Sequence, residues 1–296
     1  MQHSEDPILI SGGTGLIGTA LVEALRVKGQ RCLILSRQGG RSHAGVPVIS
    51  YAEMNALPGA SALVNLAGAD IAGGRWSLAR KTLLRQSRIA TTQRLCAWAQ
   101  QCARPPSVML SASAIGYYGD TGEEAVDEGA GPGSDFGAQL CRDWEQSIQM
   151  PDATRVVRLR IGVVLTPQGG ALQRMLPAFR LGLGGRLGSG QQWMSWIALE
   201  DLLQILLAAL RDDRYSGAYN AVAPQPVRNI DFTRALGRAL GRPTVFPVPA
   251  VLLRLALGEM SSLLLGSQRV LPQRLMEQDL QFRAPDIDTA LKALRT

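Results

Sequence analysis

The stretch ILISGGTGLIGTALVEAL, residues 8–25, constrains the fold of this chain more than any other part of the sequence. An apolar run comes first, four glycines follow within seven residues, and a helix-like run comes last. Glycines at such a place allow a tight turn, close approach of a ligand to the backbone, and close packing of helix on strand. Because the start of a helix presents free N–H groups to anions, the stretch predicts a strand–turn–helix unit that binds a dinucleotide pyrophosphate.

The glycines of this turn fit two dinucleotide-binding registers. Gly12, Gly15 and Gly18 form GxxGxxG, and Gly13, Gly15 and Gly18 form GxGxxG. A turn that serves only folding is the alternative, but a strand before it and a helix after it favour the cofactor. We therefore predict cofactor contacts from one continuous segment, which comprises Gly12, Gly13, Thr14, Gly15, Leu16, Ile17 and Gly18.

The end of the second predicted strand favours NADP(H) over NAD(H). An NAD site usually places an acid there, about 20 residues after the glycines, to accept hydrogen bonds from the ribose. Here the strand ends in LILSRQ, so Ser36 and Arg37 occupy that position. Arginine binds a 2′-phosphate through charge-assisted, bidentate bonds, whereas a carboxylate would repel it. The alternative is a solvated arginine that merely follows a strand.

Short β-rich runs alternate with longer helical stretches over the first half of the chain. Strands are predicted at 7–11, 31–36, 46–51, 62–65, 107–111 and 154–164, and helices at 16–28, 78 to about 102, and 137–149. Such alternation is typical of βαβ units that build a parallel sheet. We predict an α/β fold with a Rossmann-type, doubly wound parallel sheet.

The character of the sequence changes after Val164, which predicts a second, smaller domain. Loops around short elements are expected at 169–190, where glycines are dense, and at 224–249. Helices are expected at 231–240 and 250–257. The dinucleotide-binding domain is predicted to cover 1–164, with 197–222 returning to it as a helix and a strand. The segments 165–196 and 223–296 would form a smaller, discontinuous C-terminal substrate domain.

Charge and residue counts exclude several classes of function. Lys and Arg number 31 against 24 Asp and Glu, for a formal net charge of +7. No nucleic-acid motif accompanies this excess, so we expect no nucleic-acid partner. The excess indicates either an ordinary basic surface or attraction to an anionic small-molecule substrate. The four cysteines lack CxxC spacing and there are only two histidines, which argues against a metal site and a disulfide framework. These counts fit the reducing cytoplasm.

The apolar stretches predict no membrane partner. Leu202–Leu210 and Val251–Leu257 are much shorter than the roughly 20 residues that a membrane-spanning helix needs. The start MQHSEDPILI lacks the basic and apolar regions of a signal peptide. The stretch AVLLRLALGEMSSLLLG, residues 250–266, suits either a helix on a membrane surface or a packed face of the C-terminal domain. We favour packing, and the same face is also a candidate homodimer contact.

Taken together, these motifs resemble the extended short-chain dehydrogenase/reductases. ISGGTGLIG is similar to their glycine-rich opening, and NLAG after the fourth predicted strand is similar to their cofactor-side motif. Arg158–Val164, and Ser195–Ile197 leading to Glu200, fit the later part of the family pattern. The tail is similar to the closing domain of an epimerase-like subgroup. The resemblance adds four cofactor-binding residues, Asn65, Leu66, Ala67 and Gly68.

The resemblance implies a catalytic YxxxK motif, and this chain departs from it. In the family the lysine lowers the pKa of the tyrosine, which then exchanges a proton as the hydride moves. The matching stretch PGSDFGAQLCRDWE carries Phe136 in place of the tyrosine and Leu140 in place of the lysine. Neither side chain can transfer a proton or hold a positive charge.

The preceding stretch SASAIGYYGD is similar to the family segment that carries the catalytic hydroxyl. Alignment on Tyr118 puts Ala114 at the hydroxyl position, whereas alignment on Tyr117 puts Ser113 there. We predict Ser113 as the hydroxyl and either Tyr117 or Tyr118 as the replacement acid. The alternative is that both tyrosines pack against the protein or line the pocket.

Three basic residues share one face of the long helix predicted after residue 78. Lys81, Arg85 and Arg88 recur at spacings of four and three residues. The face either holds phosphate in the cleft or is solvated. Arg88 is the best cofactor-binding candidate, because the cofactor-proximal helix of the family passes there.

Two hypotheses of different class follow from these observations. The first is an atypical NADP(H)-dependent oxidoreductase or epimerase that acts on a carbonyl or hydroxyl group of a small molecule. The second is a catalytically silent protein that binds NADP(H) and senses its level. The loss of YxxxK favours the second hypothesis.

Overall fold

The computed structural model describes residues 6–40 and 42–294. Residues 1–5, which belong to the stretch predicted to lack signal-peptide features, lie outside the described residues. The strands are β1 Ile8–Ser11, β2 Cys32–Ser36, β3 Ser42–His43, β4 Val46–Ser50, β5 Ala62–Asn65, β6 Val108–Ala114, β7 Ala125–Val126, β8 Arg155–Ile161, β9 Val163–Leu165, β10 Trp193–Met194, β11 Trp196–Ala198, β12 Gly217–Ala221, β13 Val227–Arg228 and β14 Arg269–Val270.

The helices are α1 Leu16–Val27, α2 Tyr51–Met54, α3 Leu78–Gln101, α4 Phe136–Gln146, α5 Gly170–Arg180, α6 Leu199–Arg211, α7 Asn229–Leu240, α8 Ala250–Leu257, α9 Ser262–Leu265, α10 Gln273–Glu277 and α11 Ile287–Ala290. Short 3₁₀ turns lie at Ile115–Tyr118, Gly258–Ser261 and Lys292–Leu294.

One eight-stranded sheet organises the fold, in the order β12-β8-β6-β5-β1-β2-β4-β3. Every neighbouring pair is parallel except β3 and β4. The order reverses at β1, which lies between β5 and β2, and this reversal creates a crevice at the carboxyl edge of the sheet. The predicted α/β, doubly wound Rossmann-type sheet is confirmed.

The central strands are covered on both faces, which explains their continuous apolar sequence. All four residues of β1 are buried. Ile8 and Ile10 join the core cluster that holds α1 and α6, whereas Leu9 points to the opposite cluster under α3. Strand β12 closes the β8 edge of the sheet. The predicted domain boundary at residue 164 stays a prediction.

The strand predicted at 154–164 is broken by Gly162 into β8 and β9. A Cβ atom at Gly162 would lie 2.8 Å from Cγ1 of Val222 and 2.9 Å from the carbonyl oxygen of Ser195. The backbone therefore passes where no side chain fits, and β9 pairs with β11 outside the main sheet. Strand β6 also runs on to Ala114, beyond the predicted end at Ser111.

The prediction of only loops and short elements over 169–190 was wrong for the first half of that stretch. It contains the eleven-residue helix α5. Leu172, Leu176 and Phe179 are spaced by four and three residues, and all three are buried in a second core cluster. The flanking glycines masked this apolar face in the sequence.

The second core cluster joins α5, α7 and the C-terminal segment. Trp196, Phe232 and Leu236 are its largest nearly inaccessible members. Both carboxylate oxygens of buried Asp201 accept backbone N–H groups, from Arg283 at 2.8 Å and Ala284 at 3.0 Å. This pair of bonds attaches the C-terminal segment to α6.

The prediction that residues 250–266 form a packed face holds only for their middle. Helix α8 has no buried residue, and Val251, Leu252 and Leu255 are exposed. Leu257 and Met260, just beyond, pack beside the start of α4. Over the described residues, no helix is long and apolar enough to cross a membrane.

Candidate cofactor and active site

The glycine turn between β1 and α1 is shaped by contacts that exclude side chains. Gly12 has φ +79°, and a Cβ there would lie 2.6 Å from the carbonyl of Leu66. A Cβ at Gly13 would lie 2.8 Å from Ile34, and one at Gly18 would lie 2.2 Å from the carbonyl oxygen of Gly12. Three of the four glycines are therefore required by packing. The turn is narrow, and its tip at Thr14 and Gly15 is exposed.

The start of α1 is free to bind an anion. Gly15 precedes the helix and offers no capping side chain, and the first helical hydrogen bond runs from the Thr19 N–H to the carbonyl of Gly15 at 2.8 Å. The N–H groups of Leu16, Ile17 and Gly18 therefore have no partner within the helix. Thr14 and Gly15 are exposed above them. This arrangement suits a pyrophosphate at the positive end of the helix dipole.

Ser36 and Arg37 lie at the carboxyl end of β2, next to the glycine turn. Ile34 and Leu35 pair with Ile10 and Ser11 of β1, so β2 ends beside the start of the turn. Arg37 is exposed, and no carboxylate among the described residues pairs with it. An anion that approached this guanidinium would therefore not compete with a carboxylate of the described residues.

Asn65 ends β5 and turns the following NLAG segment toward the glycine turn. Its amide donates to Thr92 Oγ1 at 2.8 Å, and its carbonyl oxygen accepts from the Ala67 N–H at 3.3 Å. The contact of Leu66 with Gly12 places this segment against the glycine turn. Thr92 also accepts from the Trp144 indole at 2.9 Å and so ties α3 to α4.

The three basic residues on α3 have different environments. Lys81 pairs with Glu259 and Arg85 with Asp143, each at 2.5 Å. Arg88 is half-buried, its Cζ lies 5.3 Å from the centre of the Trp144 ring, and a Cβ at Gly68 would lie 3.0 Å from that Cζ. Burial lowers the pKa of Arg88. Within the described chain Arg88 forms no ion pair, although the charge of Asp70 acts on it, and this environment fits a site for an anionic or polar ligand.

The positions of the missing tyrosine and lysine are occupied by buried apolar side chains, and Lys81 Nζ lies 4.8 Å from the centre of the Phe136 ring. Phe136 and Leu140 are buried in a cluster with Trp76, Leu84 and Met260. The rings of Phe136 and Trp76 meet edge to face, with centres 5.0 Å apart. This part of α4 presents no group that can transfer a proton.

Ser113 belongs to a buried polar network. Its hydroxyl donates to Glu145 Oε1 at 2.6 Å, and Glu145 also binds Arg160 through two bonds of 2.9 and 3.0 Å. Arg160 lies directly across from Ser113 on the neighbouring strand. The Glu145 carboxylate thus neutralises the buried Arg160 guanidinium, and the Ser113 hydroxyl is already hydrogen-bonded to Glu145.

The two neighbouring tyrosines differ in their bonding. Tyr118 is buried, accepts from Arg160 at 2.9 Å and donates to Asn220 at 2.7 Å. Burial raises its pKa to about 12. Tyr117 is half-buried, its ring lies 3.5 Å from the Arg160 guanidinium carbon, and no described residue bonds its hydroxyl. Which of these residues acts in catalysis stays a prediction.

Sequence reasoning missed the partners Glu145, Arg160 and Thr92. A charged residue inside the apolar run RVVRLRI was a usable signal, because a buried charge needs a partner. The identity of that partner depends on how α4 packs on β8, which periodicity does not give. Among the described residues no cluster of His, Cys, Asp and Glu suits a metal ion.

The family comparison defines the class of protein. Residues 8–221 match the model of the NAD dependent epimerase/dehydratase family. Residues 248–294 match a domain of unknown function, DUF1731. The first match covers well over half of the chain, so the protein belongs to the NAD dependent epimerase/dehydratase family, and the predicted resemblance is confirmed.

Individual relatives narrow this class. An epimerase family protein of Mycobacterium tuberculosis is 43% identical over 291 residues, covering 96% of each chain. Human epimerase family protein SDR39U1 is 37% identical over 295 residues, covering 97% of this chain and 99% of the human one.

Solved structures agree with these relatives. The crystal structure of human SDR39U1 with NADPH superimposes with a TM-score of 0.92 at 36% identity, covering 98% of this chain and 99% of that one. A nucleoside-diphosphate sugar epimerase from Corynebacterium glutamicum gives a TM-score of 0.80 at 33% identity, and this chain covers 59% of its length. The human complex confirms, at the level of the family, the predicted NADP(H) cofactor.

Proposed function

We propose that this protein binds NADPH in the crevice above β1 and β5 and acts as an atypical oxidoreductase or epimerase on a carbonyl or hydroxyl group. The observation that carries the proposal is the group of hydrogen-bond and charge donors, without partners among the described residues, at one end of the crevice. There the free N–H groups of α1 lie beside Arg37, where the acid of an NAD site would stand. When bound, the nicotinamide would supply or accept the hydride.

Different residues of the chain would hold different parts of the cofactor. Leu16, Ile17 and Gly18 would donate backbone N–H groups to the pyrophosphate, and Ser36 and Arg37 would hold the 2′-phosphate. The NLAG segment would line the nicotinamide side, with Arg88 beside it. The edge-to-face rings of Phe136 and Trp76 would give that side of the crevice an apolar surface.

Tyr117 is the better candidate for proton transfer. No described residue bonds its hydroxyl, whereas the Tyr118 hydroxyl is bonded to Arg160 and Asn220. Ser113 would act on the position of neighbouring groups through Glu145 rather than on the substrate directly. An anionic substrate suits the basic character of the chain, and a cytoplasmic location and a homodimer stay predictions.

The test is a fluorescence titration with NADPH and NADH on the wild type, Arg37→Glu and the control Arg26→Glu. Arg26 is an exposed arginine about 15 Å further along α1, away from the glycine turn. We expect wild-type preference for NADPH, its loss in Arg37→Glu, and its retention in Arg26→Glu. Absence of NADPH binding to the wild type would overturn the proposal.

A second function, NADP(H) sensing without chemistry, is favoured by the buried Phe136 and the hydrogen-bonded Ser113. A carbonyl screen on the NADPH form separates the two, and Tyr117→Phe then tests whether Tyr117 transfers the proton. Turnover in the screen supports the enzyme, and loss of that turnover in Tyr117→Phe with unchanged NADPH affinity supports the role of Tyr117. A screen without turnover, together with NADPH-dependent changes in proteolytic protection of the C-terminal region, supports the sensor.

A further inference from the structure

The chain that follows β8 crosses the carboxyl edge of the sheet. Strand β8 lies three positions from β1, a distance of about 14 Å at the usual spacing of strands. Yet Gly169, only eight residues after the end of β8, lies against Leu16 at the start of α1. A Cβ at Gly169 would lie 2.7 Å from Cδ1 of Leu16. The segment therefore passes above the ends of β6 and β5.

Helix α5 continues this crossing and is attached on the other side of the crevice. Arg174 Nη2 lies 2.5 Å from Oδ2 of Asp70, which follows β5. Gly169 and Arg174 are about 7.5 Å apart along the helix axis. The first two turns of α5 thus bridge from the start of α1 to the loop after β5. These two segments flank the crevice in which open α/β sheets bind their ligands.

The attachment at Asp70 is electrostatic and depends on few groups. Asp70 Oδ1 also accepts the Ala72 N–H at 3.0 Å, and Arg80 donates to the Asp70 carbonyl. Burial acts to raise the pKa of Asp70, but its bond with Arg174 and its bond with the Ala72 amide outweigh burial and lower the pKa. The carboxylate is therefore charged at neutral pH. Its partner is exposed, so the pair can open readily.

We propose that α5 is a strap across the mouth of the dinucleotide crevice, held by the ion pair of Asp70 and Arg174, so that NADP(H) enters and leaves only when this pair opens. The inference rests on the proposed NADPH site.

The test measures both rate constants of NADPH binding by stopped-flow fluorescence, with excess NADP⁺ to follow dissociation. In Asp70→Asn and in Arg174→Gln we expect association and dissociation to accelerate together by about two- to five-fold, as suits an exposed ion pair. The equilibrium affinity then changes less than either rate. The double charge swap Asp70→Arg with Arg174→Asp should restore the wild-type rates.

The two single variants separate a strap from a simple charge effect. One removes a negative charge and the other a positive charge, so long-range attraction of the anionic cofactor would shift their association rates in opposite directions. The matched control is Arg238→Gln, since Arg238 pairs with Asp288 at similar exposure, between α7 and α11. Opposite shifts, or faster dissociation alone, would overturn the strap, whereas failure of the wild type to bind NADPH would overturn the proposed function itself.

Discussion

The two halves of the crevice use their polar groups in opposite ways. In the glycine-turn half (residues 11–18, 36–37 and 65–68), the helix N–H groups and Arg37 are not bonded to side chains of the described protein. In the α4 half (residues 113–118, α4 and Arg160), Ser113, Glu145, Arg160 and Tyr118 bond one another. The donors of the glycine-turn half are available to a ligand, whereas the polar side chains of the α4 half mainly stabilise the fold. Substitutions should therefore change binding in one half and stability in the other.

The strongest test of this contrast is Arg160→Met. It leaves Glu145 buried without its counter-charge, and breaking a buried ion pair costs about 3–5 kcal/mol. We expect a loss of that size in the free energy of unfolding, measured by urea denaturation. Arg158→Met is the control, because Arg158 lies on the same strand and forms no ion pair with a described residue. Equal stability of the two variants would contradict the assigned role of the α4 half.

Alkaline pH should lower the free energy of unfolding of the wild-type protein through the α4 half. The pKa of Tyr118 is raised from 10.0 to about 12 by burial, so folding favours the protonated phenol. The stabilisation is complete below pH 10 and is lost as pH rises from 10 to 12, by about 2–3 kcal/mol. Unfolding free energies across this range should fall more steeply for the wild type than for Tyr118→Phe. Parallel curves would show that Tyr118 does not carry the effect.

Gly18→Ala tests the glycine-turn half. The new Cβ would meet the carbonyl oxygen of Gly12, and overpacking of this kind costs about 1–3 kcal/mol. We expect that modest loss together with a much larger loss of NADPH affinity, because the turn must widen. Gly131→Ala is the control, since no atom lies within 4 Å of its Cβ position. A variant that keeps wild-type NADPH affinity would show that the turn need not be narrow.

The smallest effect is expected for chemical labelling of the Cys141 thiol, which lies on α4 next to Ser113. Burial raises the pKa of its thiol to about 12. We expect no modification of Cys141 by a thiol reagent at pH 8 in the native protein, whereas half-buried Cys102 reacts first. Peptide mapping after labelling distinguishes the sites. Early labelling of Cys141 would indicate that the α4 half opens more often than its bonding implies.

The same division explains what could be predicted from the sequence. Local patterns were sufficient for β1, α1, β5 and α8, because the apolar period and the glycine turn lie within a few neighbouring residues. The family pattern also indicated that Phe136 and Leu140 cannot act as an acid and its cation. Whether the hydroxyl of Ser113 is free could not be predicted, since Glu145 reaches it from another element.

Helix α5 was not predicted from the sequence, and neither was its position in the fold. Its apolar period at Leu172, Leu176 and Phe179 was present in the sequence, but the surrounding glycines favoured a loop. Its position above the crevice depends on Leu16 and Asp70, which are more than 100 residues away in sequence. Contacts at such separations are set by the sheet order, which local patterns do not determine.

The attachment of residues 283–284 to Asp201 bears on how the chain folds during synthesis. Ala284, Ile287 and Leu291 belong to the same core cluster as Trp196 and Phe232, but they are made long after them. While the chain is still on the ribosome, that cluster therefore remains open to water on one side. The main sheet can assemble earlier, because its last strand, β12, ends at Ala221. Chaperones that recognise exposed apolar surface would consequently meet the later half of this chain more than the earlier one.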